Sequence, residues 1–294
     1  MDESARRFYD GAAVDPSPRI RMEAGSSELT MRVMDLVSPI GMGQRGYIVA
    51  PPGSGKTTFL RHICQAVVKG HPEIKLYCLL INERPEEVTD FKRSVSAEVR
   101  ASSSDETYEH HAQMADELMK QAIGEAGDGR NVMVVIDSLT RLARVHNSQR
   151  SSTGRTLSGG LDAGALEVPR RIFGAARKIE NGGSLTILAT VLVETGSRMD
   201  DVIFEEFKGT GNMEIFLSRE ISQQRIFPAI DIPKSGTRKE ELLLEPAELE
   251  AVWKLRRALT EMKPIDAARA LVDRLKTYPT NKAFLSTLMT PSAQ

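Results

Sequence analysis

The sequence predicts an α/β fold: a mainly parallel central sheet covered by helices on both faces. Three observations carry that reading. From residue 29 onward, short runs rich in Val and Ile alternate with helical stretches. The runs are apolar from end to end, as in KLYCLLI (75–81) and NVMVVID (131–137), which is how strands buried on both faces read. One strand–helix junction carries Ala50-Pro51-Pro52-Gly53-Ser54-Gly55-Lys56-Thr57, the pattern of a phosphate-binding loop with Ala at the usual first Gly.

Residues 1–28 carry Gly, Ser, Pro and mixed charge without an apolar period, so a flexible arm or linker is expected there. An α/β domain follows over 29–245. GYIVA (46–50) reads as a buried strand, and Thr57 to Lys69 as the helix after the loop. Lys75 to Ile81 is the next strand, and Pro85 opens a helix to Ser94. Glu98 to Ala101 is a short strand and Tyr108 to Ala126 a long amphipathic helix. Asn131 to Asp137 is a strand, with a helix after it to about Gln149. Leu166 to Glu180 reads as helical, and Ser184 to Leu192 and Asn212 to Ser218 as strands. After Pro246 the spacing turns helical over Ala247 to Thr260, Ile265 to Lys276 and about Asn281 to Leu288. These form a C-terminal helical cap over 246–294.

Composition excludes several classes. Lys+Arg total 39 against 40 Asp+Glu, so bulk basicity cannot drive nucleic-acid binding. Any such site must be a local cluster, made denser by the symmetry of an oligomer. The two cysteines, Cys64 and Cys78, lack metal-ligand or redox spacing and read as buried thiols in a reducing compartment. No signal peptide and no apolar run long enough to span a bilayer is present, which makes the cytoplasm the expected location and excludes a membrane partner.

The loop from Gly53 to Thr58 is built to grip a triphosphate. Glycines let backbone N–H groups approach phosphate oxygens, and the helix N-terminus adds partial positive charge. Lys56 can reach the β- and γ-phosphates, and the Thr57 hydroxyl can ligate Mg²⁺. Asp137 ends an apolar strand where ligands collect, and would hold Mg²⁺ through water; an N-cap role before Ser138 is the plainer alternative. Glu83 follows another strand end and can orient or deprotonate an attacking water; a solvated loop acid is its alternative. Arg238, in SGTRKEE, and Arg141, one helical turn after Asp137, are candidates for offsetting charge on the γ-phosphoryl. Each competes with an ordinary surface ion pair.

Two further loops, STGRTLSGG (152–160) and ETGSRMDD (194–201), offer hydroxyls, backbone N–H groups and one cation each. Composition alone favours two solvated loops. In a ring of several copies they would instead project repeated cations into a pore.

The blocks SPIGMGQRGYIVAPPGSGKTT, INERPEEVTD, VIDSLTRLAR, LSGGLDAGAL, RRIFGAARKIENGGSLTILAT, FEEFKGTGNMEIFLSR and RIFPAIDIPKSGTRKEELL resemble the ATPase half of the Rho family of transcription termination factors. The resemblance runs from about Arg19 to beyond Thr280. It implies a RecA-like motor domain that works as a homo-hexameric ring with ATP and Mg²⁺ between subunits. It implies RNA in the pore, movement 5′ to 3′, unwinding of RNA–DNA hybrids, and dislodging of RNA polymerase. Lys56, Thr57 and Asp137 match the family's phosphate and Mg²⁺ positions, together with Gly53, Ser54, Gly55 and Thr58 of the loop. Glu83 matches the catalytic glutamate, Arg84 a nucleotide-contacting arginine, Arg238 the arginine finger and Arg141 a γ-phosphate sensor. Phe227 matches the aromatic that stacks on adenine, against an ordinary core role. Gly41, Met42, Gly43, Gln44, Arg45 and Gly46 resemble a segment of the nucleotide pocket. Arg155, Gly159, Gly160, Thr195, Gly196, Ser197 and Arg198 match RNA-contacting pore loops, and Lys208 matches a coupling residue whose alternative is a solvated lysine.

The chain departs from that family in four ways. It starts in the linker before the motor, without the OB-fold that captures single-stranded RNA. It is expected to be either a fragment or a natural short form that loads weakly on RNA or needs a partner. Arg155 and Arg198 stand where lysines are expected, Asn82 where an aspartate is expected, and Gly53 where a lysine is expected. A second reading is therefore a short regulatory subunit that joins or inhibits rings of full-length Rho. A third, another RecA-like ring ATPase, is disfavoured by the extended blocks.

Overall fold

The computed structural model describes residues 2–149, 158–162 and 164–289. The expected N-terminal arm is the first correction. Helix α1 (Glu3–Asp10) is capped by Asp2, whose carboxylate accepts the Ala5 N–H at 2.8 Å. Strands β1 (Ala13–Val14) and β2 (Arg19–Ile20) follow, β2 pairing antiparallel with β3 (Ile40–Gly41). Phe8, Ile20 and Met22 are fully buried. Arg19 is clamped by Glu248 at 2.7 Å, and buried Asp35 accepts the Met22 and Glu23 N–H groups. The segment is too short for its apolar period to be read: α1 buries only Ala5 and Phe8.

Helix α2 (Leu29–Val37) precedes β3, and β4 (Arg45–Ala50) leads through the loop into α3 (Lys56–Gly70). Then come β5 (Ile74–Glu83), α4 (Pro85–Ser94), β6 (Glu98–Ser103), α5 (Tyr108–Gly127), β7 (Asn131–Asp137) and α6 (Leu139–Gln149). Helix α7 spans only Glu167–Gly174; the helix expected to Glu180 gives way to β8 (Arg177–Ile179). Asn181, at φ +54°, and Gly182-Gly183 turn β8 back antiparallel onto β9 (Ser184–Leu192). Helix α8 (Arg198–Phe207), β10 (Met213–Phe216), α9 (Arg219–Gln223) and β11 (Gly236–Thr237) complete the α/β part. Helices α10 (Pro246–Thr260), α11 (Pro264–Lys276) and α12 (Asn281–Met289) follow.

Among the described residues the main sheet runs β11-β10-β4-β9-β7-β5-β6, with the five pairings from β10 to β6 parallel. Alternate residues feed two cores. In β5, Leu76, Cys78 and Leu80 join the core under α2, α3, α10 and α11, while Tyr77, Leu79 and Ile81 join the core under α1, α5, α6 and α7. The parallel arrangement aligns the C-terminal ends of β4, β7 and β5 on one edge, where the phosphate loop, Asp137 and Glu83 sit. Cys64 and Cys78 are free, buried thiols whose sulfurs lie 3.4 Å apart.

Because Phe8 is buried against α5, Phe8→Ala is expected to lower stability by roughly 3–5 kcal/mol, measured by urea unfolding. A loss below about 1 kcal/mol would mean the N-terminal segment is not part of the fold.

Candidate functional site: a phosphate cradle and two remote cation clusters

The cradle is made by backbone geometry. Gly53 (φ +74°) and Gly55 (φ +88°) hold left-handed conformations that turn the chain sharply into α3. Gly55 caps α3 without a side-chain acceptor, so the first N–H groups of this 15-residue helix face the loop unsatisfied. Ser54 Oγ donates to the Pro51 carbonyl at 2.8 Å, and Ser222 Oγ donates to the Gly53 carbonyl at 2.8 Å. Phe227 is 47% exposed and its ring edge lies 3.8 Å from the position a Gly55 Cβ would take, which places it at the mouth of the cradle. Thr57 and Thr58 lie in the first turn of α3.

Two buried carboxylates and two cations meet beside it. Lys56 Nζ donates to Asp137 Oδ1 at 2.6 Å and to Glu83 Oε1 at 3.2 Å. Arg141, at the start of α6, pairs with Glu83 and donates to the Asn82 carbonyl at 2.8 Å. Thr190, in β9, donates its hydroxyl to Asp137 Oδ1 at 2.7 Å. Asp137 and Glu83 are each 3% exposed, so Glu83 is not a solvated loop acid, and the cap of α6 is Ser138, whose Oγ accepts the Arg141 N–H at 3.2 Å. Burial pushes the Glu83 carboxyl up from its ordinary value, and Asp137 adds to the push; Lys56 and Arg141 pull it back. Glu83 Oε2 is buried without a hydrogen-bond partner. An orphaned carboxylate oxygen, an uncapped helix and a lysine fit a nucleotide phosphate with its magnesium. Thr57 and Asp137 would hold the ion, and Arg84, exposed before α4, borders the same edge.

Other expected site residues lie elsewhere. Gly41 to Gly46 sit at the opposite end of β4, about 17 Å from the loop over its six residues. They knit strand ends together: Gln44 accepts the Gly41 N–H at 3.0 Å, Gly43 donates to Thr186 at 2.9 Å, and Arg45 N donates to Asn212 at 2.9 Å. Arg238 is on that same end, its N–H bound to the Asn212 carbonyl at 2.9 Å. Burial lowers the Arg45 pKa, and the charges of Arg177 and Arg238 lower it further, so three guanidinium groups crowd there. The structure therefore does not bring this segment or Arg238 to the chain's own phosphate loop.

The two cation-bearing loops come together in part. A Cβ on Gly159 would meet Met199 N at 2.8 Å, and the Gly160 carbonyl accepts Asn147 Nδ2 at 3.2 Å. Arg198 is not in a loop: it opens α8 and is exposed, after Thr195, Gly196 (φ +78°) and Ser197. Thr195 donates to Asp200 at 2.6 Å, and Asp200, fully buried, pairs with Arg144 of α6. Arg155 lies outside the described residues. Lys208 follows the last residue of α8, pairs with Glu205 at 3.5 Å and has a side chain 57% exposed. Sequence reasoning missed Thr190, Ser222 and the Arg144–Asp200 pair. Thr190 left a signal: a hydroxyl inside an apolar strand beside one that ends in Asp.

The sheet order and the cradle define a RecA-like P-loop nucleotide-binding fold. The model of the ATP synthase alpha/beta family, nucleotide-binding domain, matches residues 30–237. The chain is 53% identical over 284 residues to transcription termination factor Rho of Aquifex aeolicus, covering 96% of this chain and 65% of that protein. It is 52% identical to Rho of Haemophilus influenzae, over 96% and 68%, and 51% identical to Rho of Streptosporangium roseum, over 95% and 72%. The chain belongs to the Rho family of transcription termination factors, and spans about two thirds of the length of these relatives. In fold it is similar to a prototypical ATPase of a bacterial type III secretion system (TM-score 0.77, 23% identity, 94% of this chain and 85% of that one). It is likewise similar to the assembled ATPase EscN of enteropathogenic E. coli (TM-score 0.73, 22% identity, 94% and 71%). Among the described residues no helix is long and apolar enough to cross a membrane.

Removing the Thr190 hydroxyl frees Asp137 from one of its anchors. Thr190→Val is expected to weaken Mg²⁺-nucleotide binding at least tenfold, as loss of a hydrogen bond of about 1.5–3 kcal/mol to a charged group implies. Titration with a fluorescent nucleotide, with and without Mg²⁺, checks it.

Proposed function

We propose that this chain is an RNA-stimulated ATP hydrolase that works as a ring of copies, a hexamer, and moves along RNA to release RNA polymerase. The observation that carries the ATPase reading is the buried Lys56–Asp137–Glu83–Arg141 cluster beside an uncapped helix N-terminus. Entering phosphates would compete with the two carboxylates for the Lys56 ammonium. Bound magnesium would neutralise phosphate charge between Thr57 and Asp137. Glu83 accepts a proton from, or orients, the attacking water, and Arg141 holds Glu83 in place.

Assembly is supported by the distance between Arg238 and the chain's own cradle, on opposite ends of the parallel sheet. Arg238 serves the cradle of a neighbouring copy, and Arg45 stands beside it. Coupling to RNA is supported by α6. Its first turn carries Arg141 on Glu83, and Arg144 holds Asp200 at the base of the segment bearing Thr195 and Arg198. The RNA and polymerase parts rest on the chain's membership of the Rho family of transcription termination factors.

ATP turnover is expected to rise with poly(C) or poly(U). Glu83→Gln and Arg238→Ala are each expected to lower it by roughly a thousandfold. Mixing the two inactive variants should restore part of the turnover, because a mixed interface joins an intact Glu83 to an intact Arg238. Mixtures as inactive as their components would rule out action between copies.

The raised Glu83 pKa sets the acid side of the pH profile. Turnover needs the ionised carboxylate, so it is expected to fall off at a pH above the ordinary glutamate value of 4.5. Arg141→Gln removes a charge that lowers this pKa and should move the acid limb of kcat/KM to higher pH. An unmoved limb would separate Glu83 from the proton-accepting step.

A further inference from the structure

Strand β5 breaks its own rhythm one residue before its end. Leu76, Cys78 and Leu80 face the core under α3, and Tyr77, Leu79 and Ile81 face the other core. Continued alternation would send Asn82 toward α3 and Glu83 to the far face. The pairing with β6 instead runs Ile81↔Ser102 and then Glu83↔Ser103, which leaves Asn82 as an extra residue. Asn82 has φ +53°, in the left-handed region that Asn, Asp and Gly enter at least cost. The extra residue turns Glu83 onto the α3 side, where its Oε1 lies 3.2 Å from Lys56 Nζ. Arg141 fastens the kink, donating to the Asn82 carbonyl at 2.8 Å while pairing with Glu83.

We propose that Asn82 is a positioning residue: its left-handed bulge aims the Glu83 carboxylate at the cradle. The contribution comes from the backbone conformation Asn82 accepts. The residue types that keep it are therefore those that tolerate positive φ, and β-branched residues are excluded. The expected aspartate at this position would satisfy the same requirement. Asn satisfies it without a third carboxylate beside Asp137 and Glu83, whose two charges Lys56 and Arg141 already balance. The inference rests on the reading of Glu83 as the residue that serves hydrolysis.

The test compares Asn82→Gly, Asn82→Ala and Asn82→Val in the full chain, alone and combined with Glu83→Gln. Turnover and binding of a fluorescent ADP are both measured. Asn82→Val is expected to lower kcat roughly a hundredfold, the order seen when a catalytic group shifts by about 1 Å. Its ADP affinity should stay within about threefold, and Asn82→Gly should keep kcat within about threefold. With Glu83→Gln already present, Asn82→Val should cost nothing further. The proposal is overturned if Val retains turnover, if Gly loses as much as Val, or if the two losses multiply. Should the Val variant fail to fold, Ala against Gly decides: equal turnover overturns the proposal. Should the unaltered chain not hydrolyse ATP, the hydrolase reading fails by itself. A crystal structure of Asn82→Ala then decides the geometry, with Glu83 still hydrogen-bonded to Lys56 overturning the bulge's role.

Discussion

Two carboxylates buried at neighbouring strand ends are the constraint around which the rest is arranged. Asp137 and Glu83 have left water almost completely. Neither is tolerable there unless opposite charge and hydrogen bonds replace the lost hydration. Lys56, Arg141 and Thr190 supply these, and each arrives by a different route: a glycine-turned helix start, the first turn of α6, and the adjacent strand β9. Two cations thus face two carboxylates, yet burial, with the Asp137 charge, still raises the Glu83 pKa. A group poised in this way changes its interactions strongly when a polyanion arrives, because each local charge balance must be remade.

Helix α6 links the cradle to the base of α8. It is short, its apolar face (Leu139, Leu142, Ala143 and Val145) is fixed in the core, and its polar face holds Arg141 and Arg144 one turn apart. Arg141 answers to Glu83, and Arg144 to Asp200, which also receives the Thr195 hydroxyl. A close-packed interior has low compressibility and transmits strain. On the proposed reading, a displacement of Arg141 at the nucleotide therefore reaches the base of α8, where Arg198 projects.

Much of the architecture was legible because strands buried on both faces read as unbroken apolar runs. Residues 131–137 and 184–192 match the strands found, and the phosphate loop fell between a strand and a helix as its chemistry requires. The N-terminal segment was not legible, since α1 spans two turns and buries two residues whose partners lie more than a hundred positions away. The helix expected to Glu180 stopped early because Asn181-Gly182-Gly183 turns a hairpin, a local signal outweighed by the helical run before it. Lys56, Glu83, Asp137 and Arg141, singled out by type and position, are brought together in the structure. Thr190 and the kink at Asn82 were not singled out, because their roles depend on strand register, which one sequence does not state.

Sheet polarity bears on how copies would meet. A parallel sheet collects its strand C-termini at one end and its N-termini at the other. The first end holds the cradle; the second holds Arg45, Arg177 and Arg238. Arginines crowded together are costly unless an anion answers them. About 17 Å of β4 separates them from the phosphate loop of their own chain, too far for a side chain to cross. Glu214 of the chain lies at the same end; on the proposed reading, a further anion for these arginines is the nucleotide in another copy's phosphate cradle. Joining unlike ends gives a head-to-tail contact, and such contacts close into rings when the rotation per copy permits. On that view the direction in which the strands run sets the head-to-tail polarity of the contact, and the rotation per copy decides whether it closes.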